Sequence, residues 1–485
     1  MISPILKLSL ATTAILASIV AAPTVAPPRV TIDTGTLEGT VDSATGVNVF
    51  RGIPYAAPPI GPLRWKPPQP AARWTGVRPA NQVGHNCMQH QPYSDIDPFA
   101  AGVSEDCLYL NVWTNSVDPV APKRPVMVWI HGGGFFAGFG GEERHNGARL
   151  AQKGAVVVTL NYRLGAFGFL AHPSLAAESP HKAAGNYGLL DQIAAVQWVK
   201  RNIARFGGDP TRVTIFGESA GGMSVGSLIA SPLAKGLFER AILESGTGVG
   251  IGILSRDTAQ AVAMRFADSL GVRGADVNAA SQLRAIDAKK VLDASLHVGP
   301  RNQPAFWPVV DGWVLPHPVD STLLAGSANF VPTIVGTNRD EGDEWMAAPS
   351  RAFARLVSAH GTPTYMYMFS RVGDDSVNQK RGAYHSAEIT FVFGRPHPLQ
   401  PSAGTTGYDS TVAEAMSDYW VAFATSGDPN GAPTAGKWPV WPRYNARTDA
   451  LLEIGPQIAA RTLVKRAVYD SLDAAARAKG GIRPE

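Results

Sequence analysis

The chain has 485 residues, with 43 Lys and Arg against 39 Asp and Glu, 45% apolar residues and 17% charged ones. The charged fraction lies below the usual value of about 25%, and the net charge is only +4. This excludes a disordered polyelectrolyte and gives no ground for a nucleic-acid or membrane-surface partner. Gly 50 and Pro 38 imply many turns without low-complexity composition, so the chain reads as large, globular and loop-rich.

The first element is an export signal. Leu8 to Ala22 reads LSLATTAILASIVAA, and Lys7 is the only charged side chain in residues 1–26. A cationic start, a short apolar stretch and small residues beyond it describe a secretory leader. The stretch is too short for a membrane span, which needs about 20 apolar residues. An N-terminal core helix is the alternative. Cleavage between Ala21 and Ala26 is expected, leaving residues 27–485 with a charge of +3 in the periplasm or outside the cell. Export permits a disulfide between the only two cysteines, Cys87 and Cys107, which in the chain-entropy model is worth roughly 3 kcal/mol. Two buried free thiols are the competing arrangement. Two cysteines without an HExxH pattern do not build a zinc site, and no metal is expected.

Val30 to Val49 alternates polar and apolar residues around Gly35, Gly39 and Gly46, which predicts edge hairpins. A Pro-rich connector runs from Pro54 to Pro79. Short apolar runs then follow at Val126–Ile130, Ala155–Leu160, Val213–Phe216, Arg240–Leu243 and Pro332–Val335, the kind buried in a parallel sheet. Between the second and third, Asn186 to Phe206 carries Leu189, Ile193, Val196, Val199 and Ile203 at helical spacing, and Gly207-Gly208-Asp209-Pro210 ends it. This rhythm predicts an α/β chain with a mostly parallel central sheet covered by helices on both faces. No linker or fixed-period repeat divides residues 27–485, so one domain is expected, closed by an amphipathic helix over Arg461 to Ala478.

The chemistry begins at Gly217-Glu218-Ser219-Ala220-Gly221, a GxSxG pattern between the strand Val213–Phe216 and a small-residue helix, Ala220 to Ala230. Alone the pattern is weak, but a strand before it and a helix after it describe a nucleophile elbow that lifts a serine hydroxyl clear of the sheet. A plain turn with a serine cap is the bland reading. His131-Gly132-Gly133-Gly134-Phe135-Phe136 directly follows the strand Val126–Ile130. Such glycines can turn backbone N–H groups toward one point, so Gly133, Gly134 and Ala220 are candidate oxyanion donors. A flexible loop or a phosphate cradle competes, although no GxxxxGK[ST] supports the cradle.

A nucleophilic serine needs a base, and the base needs an orienting acid. In this arrangement the acid and then the histidine follow the serine along the chain. Asp340, Glu341, Asp343 and Glu344 all lie just past the strand Pro332–Val335, and His360, His385 and His397 follow. Spacing chooses neither one of the four acids nor one of the three histidines.

The sequence as a whole resembles the type-B carboxylesterase/cholinesterase family of α/β-hydrolases, and in particular bacterial para-nitrobenzyl esterases. The resemblance rests on SEDCLYLNVW at 104–113, HGGGF at 131–135, NYRLG at 161–165, QWVKRNIARFGGDPTRVTIFGESAGG at 197–222, RAILESG at 240–246, DEG at 340–342 and GAYHSAEI at 382–389. It covers nearly all of the mature chain in the right order. It implies the α/β-hydrolase fold, Glu341 as the acid, His385 as the base, a Cys87–Cys107 bridge near the mouth of the site, and Glu218 as a buried acid beside the nucleophile. No cofactor is implied, and the partner is a small-molecule ester. Two departures stand out. Only 44 positions separate Glu341 from His385, which implies a more open pocket than in relatives. The loop between the cysteines holds Tyr93 and Phe99 but no tryptophan, which weakens recognition of a quaternary ammonium and disfavours a cholinesterase.

The expected activity is therefore hydrolysis of carboxylic esters through an acyl-enzyme on Ser219, with Phe135, Phe136, Phe306 and Trp307 as candidate pocket walls. Two alternatives remain: a catalytically silent binding protein on the same scaffold, and a hydrolase specialised for one natural-product ester, lactone or amide. Silent relatives usually lose a triad member, whereas Ser219, Glu341 and His385 are all present.

Overall fold

The computed structural model describes residues 26–90, 101–299, 305–374, 376–394 and 407–478. The leader at Leu8–Ala22, together with Tyr93, Phe99 and His397, lies outside the described residues. Among the described residues no helix is long and apolar enough to cross a membrane.

The strands of the main sheet are β1 (Thr40–Val41), β2 (Asn48–Pro54), β3 (Tyr109–Thr114), β4 (Arg124–Ile130), β5 (Val156–Leu160), β6 (Gly208–Glu218), β7 (Arg240–Glu244), β8 (Thr333–Asn338), β9 (Thr364–Phe369), β10 (Leu451–Ile454) and β11 (Ile458–Arg461). They lie in the order β11-β10-β9-β8-β7-β6-β4-β5-β3-β2-β1. From β10 to β5 every neighbour is parallel, whereas β11 and the β3-β2-β1 end pair antiparallel. Arg29–Ile32 and Gly35–Glu38 form the separate amino-terminal hairpin anticipated from the alternation around Gly35.

The composition of the strands explains the layering. Along β4, Val126, Val128 and Ile130 enter one buried cluster while Met127 and Trp129 enter another. Side chains alternate across a strand, so a run apolar at every position has a core on each face. The first cluster takes in Leu189, Val196 and Val199 of helix α1 (Tyr187–Asn202) and Val225 and Leu228 of α2 (Ala220–Ala230). Phe353 and Val357 of α3 (Ala348–Ala359) join it, while the second cluster takes Met416, Trp420 and Phe423 of α4 (Gly407–Ser426). The last helix is α5 (Arg466–Ala478).

Two boundaries differ from expectation, and two strands were not anticipated. The helix foreseen to Phe206 is α-helical only to Asn202 and tightens into a 3-10 turn over Ile203–Phe206, capped by Gly207 at φ 76°. The closing helix begins at Arg466 rather than Arg461, because Ile458–Arg461 pairs with β10 as an edge strand. β3 and β9 carry polar residues within their runs (Asn111, Thr364), which hid them from an apolar-run reading although both are mostly buried.

One buried ion cluster fastens the end of the chain. Arg351 on α3 is 1% exposed and donates to Asp449 from Nε (3.1 Å) and Nη2 (2.8 Å). It also donates to Asp473 at 3.3 Å and Asp470 at 2.7 Å, both on α5. Cys87 and Cys107 are joined as a disulfide, and both are buried.

Candidate active site

β4 is flanked by β5, the next strand in sequence, on one side and by β6 on the other. The connections after β4 and β6 therefore diverge over opposite sides of the sheet, leaving a crevice at their carboxyl ends. Such a switch point is where open α/β sheets place their sites. Both sequence motifs emerge there, HGGGF after β4 and GESAG after β6.

Ser219 occupies the turn between β6 and α2 at φ 56°, ψ −119°, a conformation that costs a non-glycine residue of order 1–3 kcal/mol. The turn is held by Ser219 N–H donating to Glu244 O (2.8 Å) and Met223 N–H donating to Ser219 O (2.9 Å). Glycine is required on both flanks. A Cβ on Gly221 would stand 2.0 Å from Ile130 O, and one on Gly132 would stand 2.7 Å from Glu218 Oε2 and 3.2 Å from Ser219 Cβ. The absence of these methyls lets the glycine loop lie directly against the serine.

His131 keeps that loop in place. Its Nδ1 is 2.8 Å from Gly132 O, its ring stacks on Tyr162 at 4.4 Å, and the Tyr162 hydroxyl donates to His131 O at 2.9 Å. Burial lowers the imidazole pKa to about 4, so the ring is neutral and Nδ1–H can donate. Beyond it Gly133 and Gly134 have positive φ, 100° and 63°. No acceptor among the described residues takes the N–H of either.

The structure brings Ser219, His385 and Glu341 together. His385 Nε2 lies 2.9 Å from Ser219 Oγ, and its Nδ1 lies 2.7 Å from Glu341 Oε2. Glu341 is fixed through its other oxygen, which accepts from Asn338 N–H and from the Ser245 hydroxyl, each at 2.7 Å. The histidine loop is clamped by two residues just before that acid: Ala383 N–H donates to Asp340 Oδ2 (2.7 Å) and Asn338 Nδ2 donates to Tyr384 O (2.7 Å). The short Glu341–His385 segment thus still closes on the serine.

The competing residues sit elsewhere. Asp340 pairs with Arg339, Asp343 pairs with Lys465, and Glu344 is exposed. His360 ends α3, with Nε2 2.9 Å from Leu323 O and its ring against Phe330.

Glu218 is buried beside the base, with Oε1 3.2 Å from His385 Nε2 and accepting from the Ser386 hydroxyl at 2.9 Å. Burial disfavours the charged imidazole, yet the Glu218 charge and the Glu341 hydrogen bond outweigh it and raise the His385 pKa. A ring serving as general base must be neutral, so with His385 in that role turnover should fall as pH drops through this raised value. The acid limb is therefore expected on the alkaline side of the ordinary histidine range. Glu218→Gln removes the negative charge and should move that limb down by roughly 1 pH unit. A kcat/KM profile of the two proteins checks this, and an unmoved limb would refute it.

Of the candidate pocket walls, Phe135 is fully buried and meets Phe169 and Trp307 edge-on, with centroids 5.2 and 5.7 Å apart. Phe306 turns into the core against Phe266 at 5.2 Å, while Phe136 and Trp307 are partly exposed. Sequence reasoning missed Ser245 and Asn338, which fix the acid, and Ser386, which fixes Glu218. The only available signal was their position at strand ends or beside the histidine.

A parallel sheet with a serine elbow at its switch point and an acid–histidine pair from later loops defines an α/β-hydrolase. The carboxylesterase family model matches residues 26–349 and 342–471, and the chain belongs to that family. It is 36% identical to fumonisin B1 esterase of Sphingopyxis macrogoltabida, over 87% of this chain and 86% of that protein. It is 34% identical to para-nitrobenzyl esterase of Bacillus subtilis (strain 168), over 88% and 95%. It is also 32% identical to carboxylesterase 1E of Mus musculus, over 88% and 90%. The protein is a carboxylic ester hydrolase acting on small-molecule esters.

Proposed function

We propose that the protein is an exported serine esterase that works through an acyl-enzyme on Ser219. The observation that carries this reading is the continuous run of contacts from Ser219 Oγ through both nitrogens of His385 to Glu341. His385 takes the serine proton as Oγ attacks the ester carbonyl, and Glu341 holds the ring and supports its charge. The oxyanion forms against the N–H groups of Gly133, Gly134 and Ala220. His385 then protonates the leaving alcohol, and water repeats the cycle to release the acid. Export is supported by the apolar stretch at Leu8–Ala22 and by the disulfide, a bond that persists in oxidising compartments.

A narrower reading, specialisation for one natural-product ester, is favoured by the likeness to an esterase named for fumonisin B1. Pocket shape separates the two, with Phe135, Phe136, Phe306 and Trp307 as the proposed walls. A fluorophosphonate should label the protein once, on the peptide containing Ser219, and abolish turnover of a short-chain chromogenic ester. Label mapped to another residue would sink the mechanism. A panel of esters graded in acyl and alcohol size then separates broad from narrow scope.

A further inference from the structure

Behind the triad lies a buried acidic cluster, Glu244 and Glu388, that the mechanism does not use. Glu244 ends β7 and stands opposite Gly336 of β8, which in turn stands opposite Tyr367 of β9. The Tyr367 ring covers that glycine, where a Cβ would meet it at 2.1 Å. Two residues further along β8, Asn338 Nδ2 donates to Glu388 Oε2 at 2.5 Å. Trp420 of α4 closes the other side, its Nε1–H donating to Glu244 Oε1 at 2.8 Å. Both glutamates are 0% exposed.

Counting donors exposes a deficit. Each carboxylate receives one side-chain N–H, while Glu244 Oε2, Glu388 Oε1 and the Tyr367 hydroxyl have no hydrogen-bond partner among the described residues. The charged and titratable groups around the pair are Glu218 from β6, which acts on both acids, Glu341 from the loop after β8 and His385, which act with Glu388, and Tyr367 of β9. No lysine or arginine is among them. Two full negative charges there would be strongly unfavourable, and a neutral pair would waste the one cationic neighbour, His385. A single proton resolves both problems, because a protonated carboxyl can donate to its partner.

We propose that Glu244 and Glu388 share one proton and together present a single negative charge behind Glu341 that helps hold His385 in its cationic form during turnover. The proposal rests on the Ser219–His385–Glu341 reading above. Burial, and then the charge of Glu388, pushes Glu244 up; burial, and then the charges of Glu218 and Glu341, lifts Glu388 to about 8. These are the directions expected of two acids that cannot both ionise. Glu244 and Glu388 are thus positioning residues acting through the base.

The test is the kcat/KM–pH profile of Glu244→Gln, Glu388→Gln and the double variant. Either single substitution preserves one charge, because the amide donates to a remaining carboxylate. The acid limb should then stay within about 0.3 pH unit of wild type, whereas the double variant should move it down by roughly 1 unit. Difference infrared spectra provide a readout independent of activity: wild type should show a protonated buried carboxyl that Glu388→Gln lacks. Limbs that move with each single substitution, a double variant that leaves the limb in place, or a wild-type spectrum without that band each overturn the proposal. If the double variant does not fold, the spectra and the single variants still decide. Failure here leaves the nucleophile untouched, since that assignment depends on labelling of Ser219.

Discussion

Ser219→Ala is expected to lose ester hydrolysis by about 10⁴–10⁶-fold in kcat while melting at or slightly above the wild-type temperature. In the proposed mechanism the loss is large because the hydroxyl is the atom that becomes acylated, and neither His385 nor the glycine loop can replace it. The fold should survive because the hydroxyl's one hydrogen bond among the described residues is the 2.9 Å bond to His385, while the elbow is held by backbone bonds to Glu244 and Met223. His385→Ala should fall to a similar floor, since the pair acts as a unit and the losses do not add. Initial rates on a chromogenic ester, paired with a melting curve, check both. Appreciable turnover by a well-folded Ser219→Ala would remove the mechanism, and inactivation by His397→Ala in place of His385→Ala would move the base.

Arg351→Ala should be the most destabilising side-chain truncation in the carboxyl-terminal third, by about 3–5 kcal/mol. The guanidinium is 1% exposed and is the shared partner of Asp449, Asp470 and Asp473, of which Asp473 is itself 1% exposed. Its loss takes the buried, shared cation away from Asp449 and Asp473, both themselves buried, and that penalty, more than the strength of any one bond, sets the size of the effect. Arg351→Ala with Asp449→Asn should recover part of it, because fewer charges are stranded. Denaturant midpoints followed by tryptophan fluorescence measure both. A change below about 1 kcal/mol would show that water replaces the guanidinium at little cost. α3 begins a few residues after Glu341, so the single variant should also loosen the acid's loop and lower kcat modestly before it unfolds the chain.

The parallel heart of the sheet was legible because its strands are buried on both faces. Val126–Ile130 and Val156–Leu160 are apolar at nearly every position, a pattern that depends only on local sequence. The edge hairpin Leu451–Ile454/Ile458–Arg461 was not legible, because only part of it is buried and its periodicity runs into that of α5. The serine elbow and the glycine loop were legible for a different reason. Each compresses its constraint into five or six adjacent residues, whose glycines are needed where Gly132 and Gly221 meet backbone and Glu218 atoms.

The acid and the base were not separable by spacing alone. What sets Glu341 apart from Asp340, Asp343 and Glu344 is what surrounds it, namely Asn338 N–H, the Ser245 hydroxyl and His385. Two of those partners, Ser245 and His385, come from segments distant in sequence, and family resemblance supplied the choice that periodicity could not.

By itself, then, the sequence determined the fold class, the strand–turn–helix that lifts the serine, and the glycine-lined loop opposite it, because these follow from the steric and apolar demands of neighbouring residues. Only the tertiary structure decided that Ser245 and Asn338 fix Glu341, that Glu218 reaches His385, and that Glu244 and Glu388 are buried with few donors. Such facts are set by the burial and charge of groups brought together from remote strand ends, and no local pattern encodes them.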